Sequence, residues 1–550
     1  MRQAILEFLS SDFTKIKTAD QMSELKRRLA KKHKDAILLH SDVLPEIKNK
    51  LKNKNLTAKE KINLESAVLL LKKRAIRTLS GIAPVAVLTK PYPCPGTCAY
   101  CPNEKDMPAS YLSNEPAVMR AVRCQFDPYR QIVLRLKAME NNGHEPNKIE
   151  VIVIGGTWSY FPEKYKFWYI LNCFKAANDY SKLKLPEDPN EDSRLKLANN
   201  LIKKIKSPFL QNLKLSELKE KLLEEQKKNE KAKYKIIGLT LETRPDYINE
   251  KELLEMRQLG ATRVEIGVQA VDDQILALNK RHCDTKEIAR ATKMLKDYGF
   301  KVTYHFMPAL PGSTPQRDLE MFKELFSNPN YQPDQIKFYP TVVTKGSLLY
   351  RWYKAGKYQP YTDKELEDLI ADCKAIVPPY VRIIRLIRDI PGESIIAGNL
   401  VTNLRQVMQQ RGVKCNCIRC REIKDRPMDV KKAQLIITEY PASDGTEYFL
   451  SYNSPDAKDL YGFCRLRITP NSPIAPAIIR ELHVYGQLVP VGQIKKVQHS
   501  GLGKKLMHEA EKIAQKSKSK EIAIISGVGV RGYYKKLGYK LKNTYMIKSL

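Results

Sequence analysis

Short apolar segments alternate with longer amphipathic segments between residues 81 and 375, and this alternation limits the folds open to the chain. It is typical of βαβ units, which build a parallel sheet or barrel rather than an all-helical or all-β fold. Six strands are predicted, at residues 83–88, 149–154, 235–241, 263–268, 302–307 and 335–339. We therefore expect an α/β protein.

The first 80 residues have a different pattern of apolar and charged residues and are predicted to form a separate helical region. Met22, Leu25 and Leu29 recur at helical spacing. Thr57 and Glu60 form a capping-box pattern before a further apolar run. Basic residues crowd this region, and they indicate either the solvated face of a plain helical bundle or an arm that binds nucleic acid: Lys26, Arg27, Arg28, Lys31, Lys32 and Lys34.

Three further segments are distinguished by their composition. Residues 176–233 are highly charged and interrupt the βα pattern, so we expect a helical insertion with a solvated face there. Pro378 and Pro379 end a helix and open a linker, predicted at residues 376–430. From residue 434 a compact α/β pattern predicts a C-terminal domain at residues 431–550.

The chain has 95 Lys and Arg against 61 Asp and Glu, which gives a formal net charge of +34. This balance favours a polyanionic partner, with nucleic acid preferred to a membrane surface, although a Lys-rich composition alone would also produce it. No run of about 18 apolar residues occurs, and the first residues lack a signal-peptide layout. We therefore expect a cytoplasmic protein whose 11 cysteines are reduced.

Cys94, Cys98 and Cys101 form a C-x3-C-x2-C pattern on the loop after the first predicted strand. Three thiolates at this spacing can bind three irons of a 4Fe-4S cluster and leave the fourth iron without a protein ligand. An open iron can bind the amino and carboxylate groups of S-adenosylmethionine (SAM) and pass an electron to its sulfonium. The alternative is a structural zinc knuckle, but no nearby Cys or His completes a tetrahedral set.

A second cysteine cluster, formed by Cys415, Cys417 and Cys420, predicts a structural zinc site in the linker. A redox or chance cluster is the alternative, and the candidates for a fourth zinc ligand are Cys373, Cys283 and His282. The arginines around this cluster indicate a wall that contacts tRNA or, equally, salt bridges to other domains: Arg382, Arg385, Arg388, Arg405, Arg411, Arg419 and Arg421.

A glycine-containing turn precedes an amphipathic helix in the C-terminal domain. A helix N-terminus after such a turn presents free N–H groups to an anion. The turn resembles the pyrophosphate loop of the GNAT acetyltransferases, which implies acetyl-CoA bound by Gln498, Gly501, Leu502, Gly503 and Lys504.

The same GNAT resemblance extends to segments on both sides of the turn. The strand before it is expected to pair with the pantetheine of CoA through Glu481, Leu482, His483 and Val484. After it, Tyr534 corresponds to a tyrosine near the CoA sulfur, where a phenol can donate a proton. A core tyrosine pair is the alternative for Tyr534.

The first cysteine loop resembles that of the radical-SAM superfamily, and two later strand ends fit the same pattern. Gly155 and Gly156 follow a strand at the place where the superfamily binds the amino end of SAM. Glu242 and Arg244 end another strand, where they are expected to contact SAM, unless they pair with each other. The implied fold is a partial, TIM-like βα barrel over residues 81–375.

Motifs in a fixed order carry a more specific resemblance, at residues 91–98, 155–158, 242–246, 305–314 and 337–341. Together they look like the catalytic subunit of Elongator, in its single-chain prokaryotic form. The resemblance implies that a 5′-deoxyadenosyl radical takes hydrogen from the acetyl methyl of acetyl-CoA. The carbon radical would add to C5 of a tRNA wobble uridine, and thioester hydrolysis would leave a carboxymethyl group.

The resemblance also implies that Lys148 reaches acetyl-CoA, although it could be an ordinary solvated lysine before a strand. The expected partner is tRNA, presented through its anticodon loop. A homodimer is left open, and the electron donor is not identified. The main rival is a protein lysine acetyltransferase with a structural iron–sulfur domain, for which His483 could serve as the base, although its apolar strand favours a structural role.

Overall fold

The computed structural model describes residues 2–550 except 34–37, 39, 54, 72–80, 186–204, 209, 402, 425, 427 and 486–500. Within the described part of the N-terminal region the helices are α1 (Arg2–Leu9), α2 (Ala19–Lys32), α3 (His40–Leu51) and α4 (Ala58–Leu71). Met22, Leu25 and Leu29 are buried in a separate core, as their spacing predicts. Thr57 and Glu60 exchange the two hydrogen bonds of a capping box before α4.

The basic cluster of this region lies mainly on α2. Arg27, Arg28, Lys31 and Lys32 are exposed, whereas Lys34 lies outside the described residues. The predicted helices are therefore confirmed, and several of the predicted basic side chains face solvent.

Seven parallel strands form the central sheet, in the order β1-β2-β3-β4-β5-β6-β8, and β7 pairs with β9 in a separate ribbon. The strands are β1 (Ala83–Leu88), β2 (Lys148–Ile154), β3 (Lys235–Thr243), β4 (Arg263–Gln269), β5 (Lys301–Phe306), β6 (Gln335–Phe338), β7 (Val343–Thr344), β8 (Arg382–Arg385) and β9 (Ile395–Ala397). All six predicted strands are confirmed. β8 completes the sheet from the segment assigned to the linker, and the domain boundaries at residues 80, 375 and 430 stay predictions.

Helices connect the strands and cover the outer face of the curved sheet. They are α5 (Pro116–Arg123), α6 (Pro128–Asn141), α7 (Glu163–Asp179), α8 (Leu215–Asn229), α9 (Glu250–Leu259), α10 (Asp273–Leu278), α11 (Thr285–Asp297), α12 (Pro315–Ser327), α13 (Leu348–Lys354), α14 (Asp363–Ala375), α15 (Leu404–Gln410) and α16 (Ile418–Arg421). Side chains cap several of them, such as Asn249 before α9 and Asp284 before α11. Helix α8 lies in the charged insertion and buries Leu218 and Leu222 in the main core.

The inner face of the sheet carries charged side chains among apolar ones. In β2 the more accessible positions alternate with buried ones, and Lys148, Glu150, Ile152 and Ile154 line a cavity inside the half-barrel. Arg263 and Glu265 of β4 line the same cavity. The interior of a closed βα barrel is normally filled by branched apolar side chains. The mixture of charged and apolar side chains here leaves space for a ligand that has both polar and apolar parts.

The C-terminal domain is a seven-stranded mixed sheet in the order β10-β11-β12-β13-β14-β16-β15. Its elements are β10 (Gln434–Ala442), β11 (Gly445–Asn453), β12 (Leu460–Ile468), β13 (Ala477–Val484), α17 (Leu502–Lys516), β14 (Glu521–Ile524), α18 (Arg531–Lys535), β15 (Lys540–Lys542) and β16 (Tyr545–Ser549). The first four strands are antiparallel, and β13 then pairs with β14 in parallel.

Buried ion pairs fix the C-terminal sheet against the amino ends of the barrel strands. Asp334, directly before β6, receives two hydrogen bonds from Arg480 of β13, at 2.6 and 2.7 Å. Arg467 of β12 pairs with Asp297 at 2.6 Å. Gly527 permits a close backbone approach, because a Cβ there would lie 1.9 Å from the carbonyl oxygen of Ile237. These contacts place the C-terminal domain at one end of the barrel.

None of the helices in the described ranges has the length and apolar character that a bilayer crossing requires.

Candidate active site

The loop with Cys94, Cys98 and Cys101 lies after β1, at the carboxyl ends of the barrel strands. All three cysteines are half-buried. Arg281 donates from Nη1 to Cys98 Sγ over 3.7 Å, and Arg244 Nη1 lies 4.0 Å from the same sulfur. Burial and the neighbouring thiolates of Cys98 and Cys94 raise the pKa of Cys101 to about 12. Because metal binding deprotonates thiols, a positively charged group of irons suits this loop.

A small cavity of about 100 Å³ adjoins the cysteine loop, and Gly156 and Arg244 line it together with the three cysteines. Gly155 has a φ of +121°, and a Cβ there would lie 2.3 Å from Thr89 Oγ1. At Gly156, φ is +100° and a Cβ would meet nothing within 4 Å, so the backbone is open to a ligand. The residues present therefore fit the SAM that the cysteine pattern implies.

Glu242 and Arg244 point to different partners rather than to each other. Arg244 pairs with Asp246 at 2.9 Å and also donates to the carbonyl oxygen of Arg281. Glu242 accepts a hydrogen bond from Tyr111 at 3.4 Å and lies 3.6 Å from His305 Nδ1. Glu242 lines both the small cavity and the larger one inside the barrel, so it can contact a ligand in either.

A buried charge cluster beside Glu242 was missed in the sequence. His305 Nε2 lies 3.0 Å from Glu265, which also contacts Lys337 and lies 3.6 Å from Arg263. Burial raises the pKa of Glu265, but Lys337, His305 and Arg263 outweigh it and hold the pKa well below its usual range. Polar residues at alternate positions of the buried strands β4 and β5 are the signal that could have identified this cluster.

In the C-terminal domain, β13 and β14 pair only through Ala477–Ile479 and then diverge. The predicted pantetheine-binding residues follow directly after this point and line the large cavity: Glu481, Leu482, His483 and Val484. A strand that leaves its neighbour exposes backbone groups that an extended amide ligand can pair with. The divergence therefore fits the pantetheine arm of CoA.

The predicted pyrophosphate turn begins helix α17. Gly501 is its N-cap with φ +82°, Leu502 is buried in the core, and Gly503 and Lys504 line the large cavity. Gln498 lies outside the described residues. The turn thus presents a helix N-terminus to the cavity, as an anion site requires.

Two tyrosines lie opposite this turn. Tyr534 is buried but lines the cavity, and Tyr533 beside it is more exposed. The Tyr533 hydroxyl lies 3.0 Å from the position that a Cβ of Gly503 would take. Tyr533 is therefore a second candidate for contact with CoA, and it was not selected from the sequence. Lys148 lines the same cavity, and its burial lowers its pKa.

One continuous cavity of about 1540 Å³ joins these two regions through the barrel. Tyr100, Tyr111 and Glu242 line it on the cysteine side, and Gly503 and Tyr534 line it on the C-terminal side. The relative placement of the two regions was open in the sequence. The structure brings them to opposite ends of one internal space.

The second cysteine cluster forms a tight group. The sulfurs of Cys415, Cys417 and Cys420 all lie within 4.8 Å of one another, and no fourth His, Cys, Asp or Glu joins them among the described residues. A tetrahedral Zn²⁺ with bonds of about 2.3 Å separates its sulfurs by about 3.8 Å. His282, one candidate for a fourth ligand, lies instead at the first cysteine loop, 2.9 Å from Thr97 Oγ1.

His483 does not provide the base that a protein acetyltransferase would use. It is stacked on Phe463 with 5.8 Å between the ring centroids. Burial lowers the pKa of His483 to about 4, despite the opposing effect of Glu481. A general base works best with a pKa near the operating pH, so this histidine suits a structural role.

Comparisons with known proteins agree with this geometry. The family model described as Radical SAM superfamily matches residues 208–325, and the Radical_SAM C-terminal domain matches residues 333–412. The fold and the cysteine site together define a radical-SAM enzyme, which implies a 4Fe-4S cluster and SAM.

Relatives identify the family within that class. The tRNA uridine(34) acetyltransferase of Dehalococcoides mccartyi is 41% identical over 499 residues, which cover 87% of this chain and all of that protein. The human Elongator complex protein 3 is 38% identical over 87% of this chain and 86% of its own. The chain belongs to the family of Elongator complex protein 3 and the tRNA uridine(34) acetyltransferases.

A solved structure supports the same assignment. The structure of archaeal Methanocaldococcus infernus Elp3, with an N-terminal deletion of residues 1–46, is 37% identical. It superposes with a TM-score of 0.69 and covers 86% of this chain and 99% of that chain.

Proposed function

We propose that the chain modifies the wobble uridine of tRNA, by transferring an acetyl-derived carboxymethyl group from acetyl-CoA to C5. The cavity that joins the cysteine loop to the GNAT-like turn carries this proposal. The radical would form at the cysteine loop, whereas the acetyl donor would be held at the GNAT-like turn. A shared internal space would let both reach the same uridine. The names of the relatives, which specify tRNA uridine 34, favour the same substrate.

Residues at the carboxyl end of the barrel would hold the radical-generating group. Cys94, Cys98 and Cys101 are the proposed ligands of the 4Fe-4S cluster. When bound, that cluster supplies the electron that cleaves SAM to a 5′-deoxyadenosyl radical. Gly155 and Gly156 keep the backbone open beside the cysteines. Further polar contacts to SAM would come from Glu242 and Arg244, which line the same small cavity.

Residues of the C-terminal domain would bind acetyl-CoA. The amide groups of Gly501, Leu502 and Gly503 begin helix α17 and would bind the pyrophosphate together with Lys504. Gln498, which lies outside the described residues, is retained as a proposed ligand on its sequence position alone. The diverging strand at residues 481–484 would pair with pantetheine. Tyr534 and Lys148 line the cavity and would act at the acyl end, where a phenol can donate to a thiolate.

The basic surface supports binding of tRNA. The formal net charge of +34 favours an RNA backbone, because phosphate neutralisation dominates such binding. The exposed arginines and lysines of α2 would add contacts outside the cavity. A uridine from an unpaired anticodon loop can be splayed out and enter the barrel.

Cys415, Cys417 and Cys420 are proposed to bind a structural Zn²⁺. The support is the close approach of their sulfurs, which matches a tetrahedral thiolate site. Elemental analysis of purified protein tests this. We expect one zinc per chain, lost when Cys417 is replaced by Ser, and iron alone in the protein would contradict it.

The function is tested with anaerobically reconstituted protein, SAM, acetyl-CoA, a reductant and tRNA. Mass spectrometry should detect 5′-deoxyadenosine and 5-carboxymethyluridine, and omission of tRNA or acetyl-CoA should remove the modified base. Acetylated protein formed from acetyl-CoA without SAM would favour the acetyltransferase rival instead.

A further inference from the structure

The seven arginines around the second cysteine cluster differ in what holds them. Six are engaged inside the chain, which favours salt bridges and internal hydrogen bonds for them over RNA contact. Their partners are Glu422 for Arg382, Asp389 for Arg385, Ser110 and Glu115 for Arg388, the Ile383 carbonyl for Arg405, Glu367 and Asp368 for Arg411, and the carbonyls of Asn416 and Pro379 for Arg421.

Arg419 is the exception. It is half-buried at the start of α16, and its guanidinium has no hydrogen-bond or ion-pair partner in the described part of the chain. It lines the large cavity, as Arg382 and Arg385 also do. A guanidinium offers five N–H donors, and those of Arg419 are not taken up by any acceptor among the described residues, so they are available to a ligand in the cavity.

The charge around Arg419 is positive. Its charged neighbours include Arg405 and Arg382, and one carboxylate, Glu422, which is already paired with Arg382 at 2.8 Å. Repulsion among guanidinium groups is relieved when an anion enters between them. A planar fork is well matched to a phosphate, which it can bind with two parallel hydrogen bonds.

We propose that Arg419 is a phosphate-binding residue that contacts the RNA backbone next to the uridine in the cavity. This inference rests on the proposed function. Phosphate could come from RNA or from CoA, and RNA is favoured because CoA phosphates have a separate site at the N-terminus of α17. A nucleotide held at Arg419 has its base inside the barrel, in the space between the two reacting ends.

The test compares Arg419→Gln with Arg411→Gln, because each removes one positive charge near the same cysteine cluster. Arg411 is engaged by Glu367 and Asp368 and is absent from the cavity lining. Binding of an anticodon stem–loop RNA is measured over a range of salt concentrations. Loss of one phosphate contact lowers the salt slope by about 0.7 and weakens binding about fivefold at 0.1 M salt.

We expect this change for Arg419→Gln alone, with an unchanged dissociation constant for acetyl-CoA. Arg419→Lys keeps the charge and should retain most of the salt slope while losing the bidentate geometry. Melting temperature and zinc content control for damage to the neighbouring Cys417 and Cys420. If Arg419→Gln loses zinc, Arg419→Lys takes its place in the comparison of RNA binding.

Equal RNA binding by Arg419→Gln and Arg411→Gln overturns the inference. So does weaker binding of acetyl-CoA with RNA binding intact, since that outcome assigns Arg419 to a CoA phosphate. Failure of the unmodified chain to bind any tRNA-derived RNA would instead overturn the proposed function. The two failures are therefore distinct.

Discussion

Cys98 lies within reach of two guanidinium groups, those of Arg281 and Arg244. These two positive charges can offset the negative charge of a thiolate-ligated iron–sulfur cluster. We expect Cys98→Ala to abolish the visible iron–sulfur absorbance and the formation of 5′-deoxyadenosine. Cys283→Ala is the matched control, because Cys283 is half-buried nearby but outside the cysteine loop. Retained absorbance in Cys98→Ala would remove the cysteine from the proposed ligand set.

Tyr533 and Tyr534 are adjacent, so a phenylalanine substitution at each one serves as the control for the other. Tyr534 is buried and lines the cavity, whereas Tyr533 approaches Gly503 in the turn that begins α17. If Tyr534 donates a proton at the acyl end, Tyr534→Phe should slow the release of CoA about 100-fold with little change in acetyl-CoA affinity. Tyr533→Phe should mainly raise the dissociation constant for acetyl-CoA. The reverse result would transfer the proton-donor role to Tyr533.

At the scale of single elements, the backbone turn that follows β2 requires a glycine, Gly155. Gly155→Ala would combine the cost of a left-handed backbone, about 1–2 kcal/mol, with a clash against Thr89 that costs a further 1–3 kcal/mol, roughly. We expect a lower melting temperature and weaker SAM binding. Gly412→Ala is the control, since Gly412 has φ +68° but open space around it. Equal melting temperatures for the two variants would contradict the close fit at Gly155.

The elements themselves were largely predictable. Apolar runs between turn signals located β1 to β6, because the face of each strand that packs against the helices is apolar. Strand β8 was missed because it has only four residues and arginine at both ends, Arg382 and Arg385. The alternation of residues in β4 indicates that Glu265 shares a face with Arg263, but the partners of Glu265 lie on other strands: His305 on β5 and Lys337 on β6. Long-range pairing of this kind is set by the fold and has no local signal.

At the scale of the whole molecule, the relation between the two reacting ends depends on how the domains dock. Charged residues of the C-terminal sheet, including Arg465 and Arg480, meet Asp334 of the barrel in a region without water access. Because these ion pairs are directional, they fix one orientation more narrowly than apolar packing alone would. That orientation keeps the glycine-containing turn before α17 at the amino end of the barrel and the cysteine loop at the other end.

Asp334 is the residue through which this docking can be tested. Burial raises its pKa, but Arg480, Lys296 and Arg465 outweigh it and hold the pKa far below the ordinary value of 3.8. Its folded pKa is depressed, so its contribution to stability is present above about pH 4 and is lost as the pH falls further. Asp334→Asn removes one of the two carboxylates that pair with each of Arg480 and Arg465, and leaves only Glu447 and Glu481 to them. Because the buried cluster then has one uncompensated positive charge, the substitution should lower the unfolding free energy at pH 7 by about 3–5 kcal/mol.

The matched control is Glu163→Gln, which breaks a more exposed pair with Lys219 and should cost less than about 1 kcal/mol. Denaturant unfolding at pH 7 and acid unfolding below pH 4 measure both effects. Asp334→Asn should lose part of the acid sensitivity of the unmodified chain, because the group that takes up the proton is gone. If the domains also separate, 5′-deoxyadenosine formation should continue while carboxymethyluridine disappears. Equal stability of the two variants would show that the ion pairs do not hold the domains in place.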